Sequence, residues 1–174
     1  MCIINVMKKI ELTWQEFESV AETSLKQVFS SWKKSSKDYH GFIPKTFFDE
    51  TIISRGAEMA VAKATNRYWD GAYDTYKKSA DVGKNIEVRY CTFKNPSLQL
   101  RPNSDEINKD RVFFLVTSDF KIGELPLYCI HGYIKGEDGM KEEFLTDFGY
   151  DGINKKPKRP KCWAIPNSKL KPLS

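Results

Sequence analysis

Histidine is nearly absent from this chain of 174 residues, which has only His40 and His131. A histidine-rich metal centre is thereby excluded. The four cysteines, Cys2, Cys91, Cys129 and Cys162, lie far apart, with no Cys-x-x-Cys pair and no histidine at zinc spacing. Reduced, partly buried thiols and a reducing compartment are the expectation. No Gly-x-x-x-x-Gly-Lys loop, Gly-x-Gly-x-x-Gly turn or Gly-x-Ser-x-Gly elbow occurs. Nucleotide hydrolysis, dinucleotide oxidoreduction and α/β-hydrolase chemistry therefore lose their usual sequence support. No stretch approaches the ~20 apolar residues of a membrane span, and the apolar opening Met1–Val6 is too short for a signal-peptide core. The sequence predicts a soluble, cytoplasmic protein with no membrane partner.

Acidic residues are missing from one region. Beyond Asp151 there are seven Lys or Arg and no acid, whereas the preceding chain holds 21 basic and 23 acidic residues. The net charge of +5 thus belongs to the C-terminal end. The run Lys155-Lys156-Pro157-Lys158-Arg159-Pro160-Lys161 is held extended by its prolines, so its charges form a strip suited to a phosphate backbone. A solubilising tail has the same composition. Tyr150 and Trp163 flank the run, available for stacking on bases or for packing in the core.

What is present suits one domain: 40% apolar and 13% aromatic residues supply a core without disulfides or structural metal. A capping box, Thr13-Trp14-Gln15-Glu16, starts a helix. Its apolar face is expected from Trp14, Phe17, Val20, Ala21, Leu25, Val28, Phe29 and Trp32. A second helix is predicted over 44–66, with Ala57, Ala60 and Ala64 forming a small face for close packing. The period then changes to two. Ile86, Val88 and Tyr90 alternate with Glu87, Arg89 and Cys91, and further strands are expected at Leu98–Leu100, Arg111–Thr117 and Leu127–Ile134, with a possible bulge at Gly132. A short helix is predicted over Glu137–Leu145, followed by a loop over 147–161. Trp163, Ile165, Leu170 and Leu173 should then anchor the C-terminus to the body. Helices followed by strands predict an α+β fold, a mixed sheet with helices packed against it. The organisation is a helical segment about 13–66, a sheet core about 79–135 and a basic end about 152–174.

The informative segment is Ser79-Ala80-Asp81-Val82-Gly83-Lys84-Asn85-Ile86-Glu87-Val88-Arg89. Gly83, Lys84 and Asn85 suit a three-residue hairpin loop, since Gly and Asn tolerate positive φ. In that register Val82 faces Ile86, and Asp81 faces Glu87. Like charges directly opposite destabilise a β pair. A magnesium ion between the two carboxylates is one compensation. A salt-bridge network through Arg89 is the other.

An Asp, a short turn and Glu-x-Arg on an apolar strand resemble the core of the PD-(D/E)XK nucleases. The Gly56-Ala57-Glu58 helix matches the glutamate which that family often carries on a preceding helix. The span from Gly56 through Pro102 is also similar to small phage-type proteins. The resemblance implies a restriction-endonuclease-like fold and an Mg²⁺- or Mn²⁺-dependent endonuclease or exonuclease acting on DNA, with RNA a possible partner. It implies that Asp81, Glu87 and the Val88 carbonyl hold the metal and that Glu58 supports them. The family's usual lysine is Arg89 here. An arginine cannot act as a base but can grip a phosphate, so a catalytically degenerate nucleic-acid-binding protein, or a phage assembly or host-interaction protein, is the alternative. Lys155, Lys156, Lys158, Arg159 and Lys161 would track the nucleic acid.

His131 and Cys91 are further candidates. His131, in an apolar strand, reads first as a hydrogen-bonded structural residue and second as a catalytic one. Cys91 shares a strand face with Glu87 and Arg89, but no base partner for a nucleophilic thiol is identifiable.

Overall fold

The computed structural model describes residues 7–33, 44–72, 79–102, 109–147 and 161–173. Helix α1 (Trp14–Lys33) starts at the expected capping box: the Thr13 amide donates to Glu16 Oε2 at 2.7 Å, and the Glu16 amide to Thr13 Oγ1 at 3.2 Å. Helix α2 (Pro44–Ala64) packs against it.

The buried face of α1 matches the expected one only in part. Val20, Ser24, Val28 and Ser31 are buried, while Trp14, Leu25, Phe29 and Trp32 remain about half exposed. Small serines permit a close approach between helices. The Ser24 hydroxyl is satisfied within its own helix, donating to the Val20 carbonyl at 2.7 Å. On α2, Ala57 and Ala60 are fully buried, and Gly56 meets the ring of Tyr128.

Strand β1 (Lys8–Glu11) precedes the helices. Strands β2 (Ile86–Tyr90), β4 (Val112–Asp119) and β5 (Leu127–Lys135) join it in a four-stranded sheet of order β1-β5-β4-β2. Strands β1 and β4 run antiparallel to β5, and β2 runs parallel to β4. A second, three-stranded sheet has the order β3-β7-β6, from β3 (Ser97–Leu100), β7 (Cys162–Pro166) and β6 (Leu145–Thr146). The architecture is therefore α+β with a mixed sheet, as expected. Strands β1, β6 and β7 were not foreseen, and the helix expected over Glu137–Leu145 is a single turn at Gly136–Gly139 followed by a 3-10 turn at Glu142–Phe144.

The alternation of the strands divides the interior into two clusters. Ile86 and Val88 of β2, with Phe114 and Val116 of β4, face Ala57, Ala60 and Val61 of α2. Phe113 and Leu115 face the other way, against Leu98, Leu100, Ile134, Ile165 and Leu170. Helices thus cover one face of the main sheet and the small sheet covers the other. Each fully buried Leu or Ile contributes roughly 1.5–3 kcal/mol, so both clusters are needed to hold the layers. The C-terminal anchors behave as expected, with Ile165 and Leu170 buried and Trp163 and Leu173 packed against the two cores.

Between Leu115 and Val116 the β4–β5 register skips a residue, so His131 is the extra residue of a bulge beside Gly132, whose φ is +142°. The bulge at Gly132 was foreseen. Among the described residues, no helix is long and apolar enough to cross a membrane.

Candidate acidic site at the edge of the main sheet

The site is built on a turn. Val82 and Ile86 exchange backbone hydrogen bonds of 3.1 and 3.3 Å across Gly83, Lys84 and Asn85, and Gly83 takes φ +60°. This is the expected loop and the expected Val82–Ile86 register. The ladder stops there. Asp81 is not paired through its backbone with Glu87; its Oδ2 accepts the Val88 amide hydrogen at 2.8 Å. A side-chain acceptor has replaced the next rung, which spares the two carboxylates a directly opposed position.

The geometry of β2 explains what Asp81 meets. The Val112 amide donates to the Asn85 carbonyl, and the Cys91 amide to the Val116 carbonyl. Odd-numbered residues of this stretch thus bond to β4, so the N–H and C=O of Val88 point to the open edge. The Asp81 carboxylate and the Val88 carbonyl consequently share that edge.

Glu87 leaves β2 on the face opposite Ile86 and Val88, and is 7% exposed. Parallel pairing sets Glu87 beside Phe113, so Arg111, two residues earlier, projects from the same face. Arg111 Nη1 hydrogen-bonds Glu87 Oε1. Arg89, 40% exposed in its side chain, takes the other oxygen: its Nη1 lies 3.4 Å from Glu87 Oε2. The same nitrogen donates to the Val88 carbonyl at 3.3 Å, and the guanidinium sits 5.6 Å from the centre of the Phe113 ring. A positive group therefore occupies the position between Glu87 and the Val88 carbonyl.

Glu58 enters from α2. Its Oε2 accepts Arg55 Nη1 at 3.1 Å and Trp69 Nε1 at 3.1 Å, while Arg55 Nε donates to Gln27 Oε1 at 2.8 Å. Arg55 is itself buried, so the group is a packed polar network between α1, α2 and the following chain. Burial pushes Glu58 up to about 8, with the Asp81 charge adding to it and Arg55 and Trp69 opposing. Burial also raises Glu87, again with the Asp81 charge adding and Arg89 and Arg111 opposing. Asp81 thus lies within electrostatic reach of both glutamates.

Three carboxylates are gathered from a helix, a loop and a strand, with three arginines beside them. Among the described residues, no three of His, Cys, Asp and Glu form a group fit to hold a metal ion. A cation here would rest on two carboxylates, a backbone carbonyl and outside oxygens. Such an oxygen donor set suits Mg²⁺ or Mn²⁺.

Arg55, Trp69 and Arg111 were not foreseen. Arg55 lies three residues before Glu58 on one helix face, a spacing that would have flagged it. The pairing of Arg111 with Glu87 follows only from the β2–β4 register. Of the basic strip, Lys155, Lys156, Lys158 and Arg159 lie outside the described residues, as does Tyr150. Lys161 is exposed just before β7. His131 is buried, with Nε2 2.8 Å from Thr117 Oγ1 and Nδ1 3.2 Å from Asn167 Nδ2, which fits its structural reading. Cys91, Cys129 and Cys162 are free thiols. Comparison with family models, with curated proteins and with solved structures finds no match to this chain.

Proposed function

We propose that the chain is a divalent-metal-dependent nuclease acting on DNA, with a core related to the PD-(D/E)XK nucleases. One observation carries this reading: the Arg89 guanidinium lies between Glu87 Oε2 and the Val88 carbonyl, and the Asp81 carboxylate accepts the Val88 amide at that strand edge. Those three residues are the ones that the resemblance assigns to a cation. Mg²⁺ or Mn²⁺ bound there would lower the pKa of a coordinated water and neutralise charge developing on the scissile phosphate.

The protein's own residues have separable tasks. Asp81 and Glu87 offer oxygens, and the Val88 amide holds Asp81 in place. Arg89 is exposed enough to swing toward a phosphate, which its planar fork can grip through two hydrogen bonds. Arg111, nearly buried, stays on Glu87 and keeps that carboxylate oriented when Arg89 departs. Glu58, fixed by Arg55 and Trp69 and kept protonated by burial, backs Asp81 as a polar support and gains its charge only when a cation is bound.

The second reading is a non-cleaving nucleic-acid-binding protein of the same fold, with assembly or host-interaction roles. The observation in its favour is that both oxygens of Glu87 are already taken by arginines, which neutralises the carboxylate without a metal.

Incubation of the full chain with plasmid and linear DNA decides between them. Cleavage is expected with Mg²⁺ or Mn²⁺, to be abolished by EDTA and by Glu87→Gln. Salt-sensitive binding without cleavage would support the second reading. Cleavage that persists in Glu87→Gln would remove the site from the mechanism.

A further inference from the structure

A cleft of about 310 Å³ lies where β2 ends and its chain turns away while β4 runs on. It is bounded by Tyr90, Cys91, Phe93 and Lys94 on one side and by Thr117, Ser118 and His131 on the other. Strands β2 and β4 are parallel, and the cleft sits at the carboxyl ends of both, where open sheets with parallel strands tend to take ligands. The volume is at the lower end for small-molecule sites, so it admits one compact group rather than a dinucleotide.

The lining has a definite chemistry. Phe93 stands at the rim with 70% of its surface exposed, and Lys94 beside it is also exposed. An aromatic ring left in water next to a cation is poorly accounted for by core packing. The interior is polar: the hydroxyls of Tyr90 and Ser118 lie 2.7 Å apart, and the β5 bulge places His131 against Thr117. The position also matters. Cys91, the residue after β2, lies two residues beyond Arg89, roughly 6–7 Å along the chain. A phosphate held by Arg89 and a group in the cleft could therefore belong to one nucleotide or to neighbours.

We propose that this cleft receives an unstacked nucleobase of single-stranded DNA, stacked on Phe93, with Lys94 on an adjoining phosphate and the Ser118 hydroxyl facing the base edge. The inference rests on the nuclease reading for its choice of nucleic acid. It adds a preference for single strands or frayed ends, because a base within an intact duplex is already stacked and paired.

The test is a binding measurement made in EDTA, so that cleavage is not required. The full chain is titrated with a single-stranded oligonucleotide carrying one 2-aminopurine, and in competition with duplex of the same sequence. Quenching on binding and preference for the single strand are expected. Phe93→Ala should weaken binding on the order of ten-fold and abolish the quenching, and Phe93→Trp should restore both. Phe93 is exposed, so neither variant should disturb folding, which circular dichroism checks. Equal affinity for duplex and single strand, or unchanged quenching in Phe93→Ala, would overturn the assignment. Mg²⁺-dependent cleavage with no base quenching would sink the cleft and leave the nuclease reading. Phe93-dependent quenching without cleavage would do the reverse.

Discussion

Asp81 holds the Val88 amide at 2.8 Å across the Gly83 turn, so a charged side chain completes the hydrogen bonding of β2 where the hairpin ladder ends. The same charge raises both Glu58 and Glu87. Asp81→Asn keeps a carbonyl acceptor for the Val88 amide and removes the charge. At pH 8 without divalent ions, this variant should be more stable than the parent by about 1 kcal/mol, the worth of roughly one pKa unit. Asp81→Ala, which loses the acceptor, should fall below the Asn variant by about 1–2 kcal/mol. Urea midpoints measure both. An Asn variant no more stable than the parent would show that Asp81 does not act on the two glutamates.

Stability should fall as pH rises from about 4.5 to about 8, the interval over which Glu58 is held protonated in the fold. The sign follows from linkage: in that interval the folded state binds more protons than the unfolded state, so raising the pH favours unfolding. Glu58→Gln should flatten the decline. Millimolar Mg²⁺ should raise the melting temperature more at pH 8 than at pH 5, because a cation favours the ionised carboxylates. Differential scanning fluorimetry across pH, with and without Mg²⁺, reads both effects.

A second pH effect has the opposite sign. Burial lowers the pKa of His131 below its ordinary 6.5, and the ring is bound between Thr117 and Asn167. The unfolded state then binds more protons, and stability is lost as pH falls below 6.5. With the Asn167 amide nitrogen facing Nδ1, the neutral ring carries its proton on Nε2 and donates to Thr117. Thr117→Val, which removes that acceptor, should cost about 1–2 kcal/mol at neutral pH. Chemical denaturation at pH 5.5 and 7.5 tests the slope, which His131→Gln should remove.

Gly56 meets Tyr128 so closely that an added Cβ would overlap the phenol hydroxyl. That hydroxyl in turn donates to the Ile53 carbonyl of α2 at 3.2 Å. Gly56→Ala should destabilise the protein by about 1–3 kcal/mol through overpacking. Tyr128→Phe in the same chain should recover part of the loss, since it removes the atom in the way. A double-mutant cycle gives the coupling, and strictly additive effects would mean that the two residues are not in contact.

Local chemistry was legible in the sequence, and partners brought by long-range pairing were not. The Thr13–Glu16 capping box and the Gly83-Lys84-Asn85 turn depend on residues within a few positions, and both are found as read. The α1 face is half legible: Val20 and Val28 are buried as apolarity predicts, whereas Leu25, Phe29 and Trp32 are exposed. Ser24 and Ser31 are buried instead, where small side chains suit close packing. Arg111 looked like the start of a strand. Only the parallel pairing of β2 with β4, set across more than twenty residues of chain, turns it toward Glu87. Strand β7 carries only a short period-two signal in Trp163 and Ile165, and the Gly, Pro and Lys of the preceding stretch mask it.

The Val88 edge has a consequence for association as well as for chemistry. β2 borders the main sheet, and an outermost strand with free amides and carbonyls is a template on which a foreign chain can nucleate aggregation. The Val82 bridge and the Asp81 carboxylate cover that template, and the negative charge repels an incoming backbone carbonyl. Neutral or shortened side chains at position 81 should therefore leave the protein more prone to associate at high concentration.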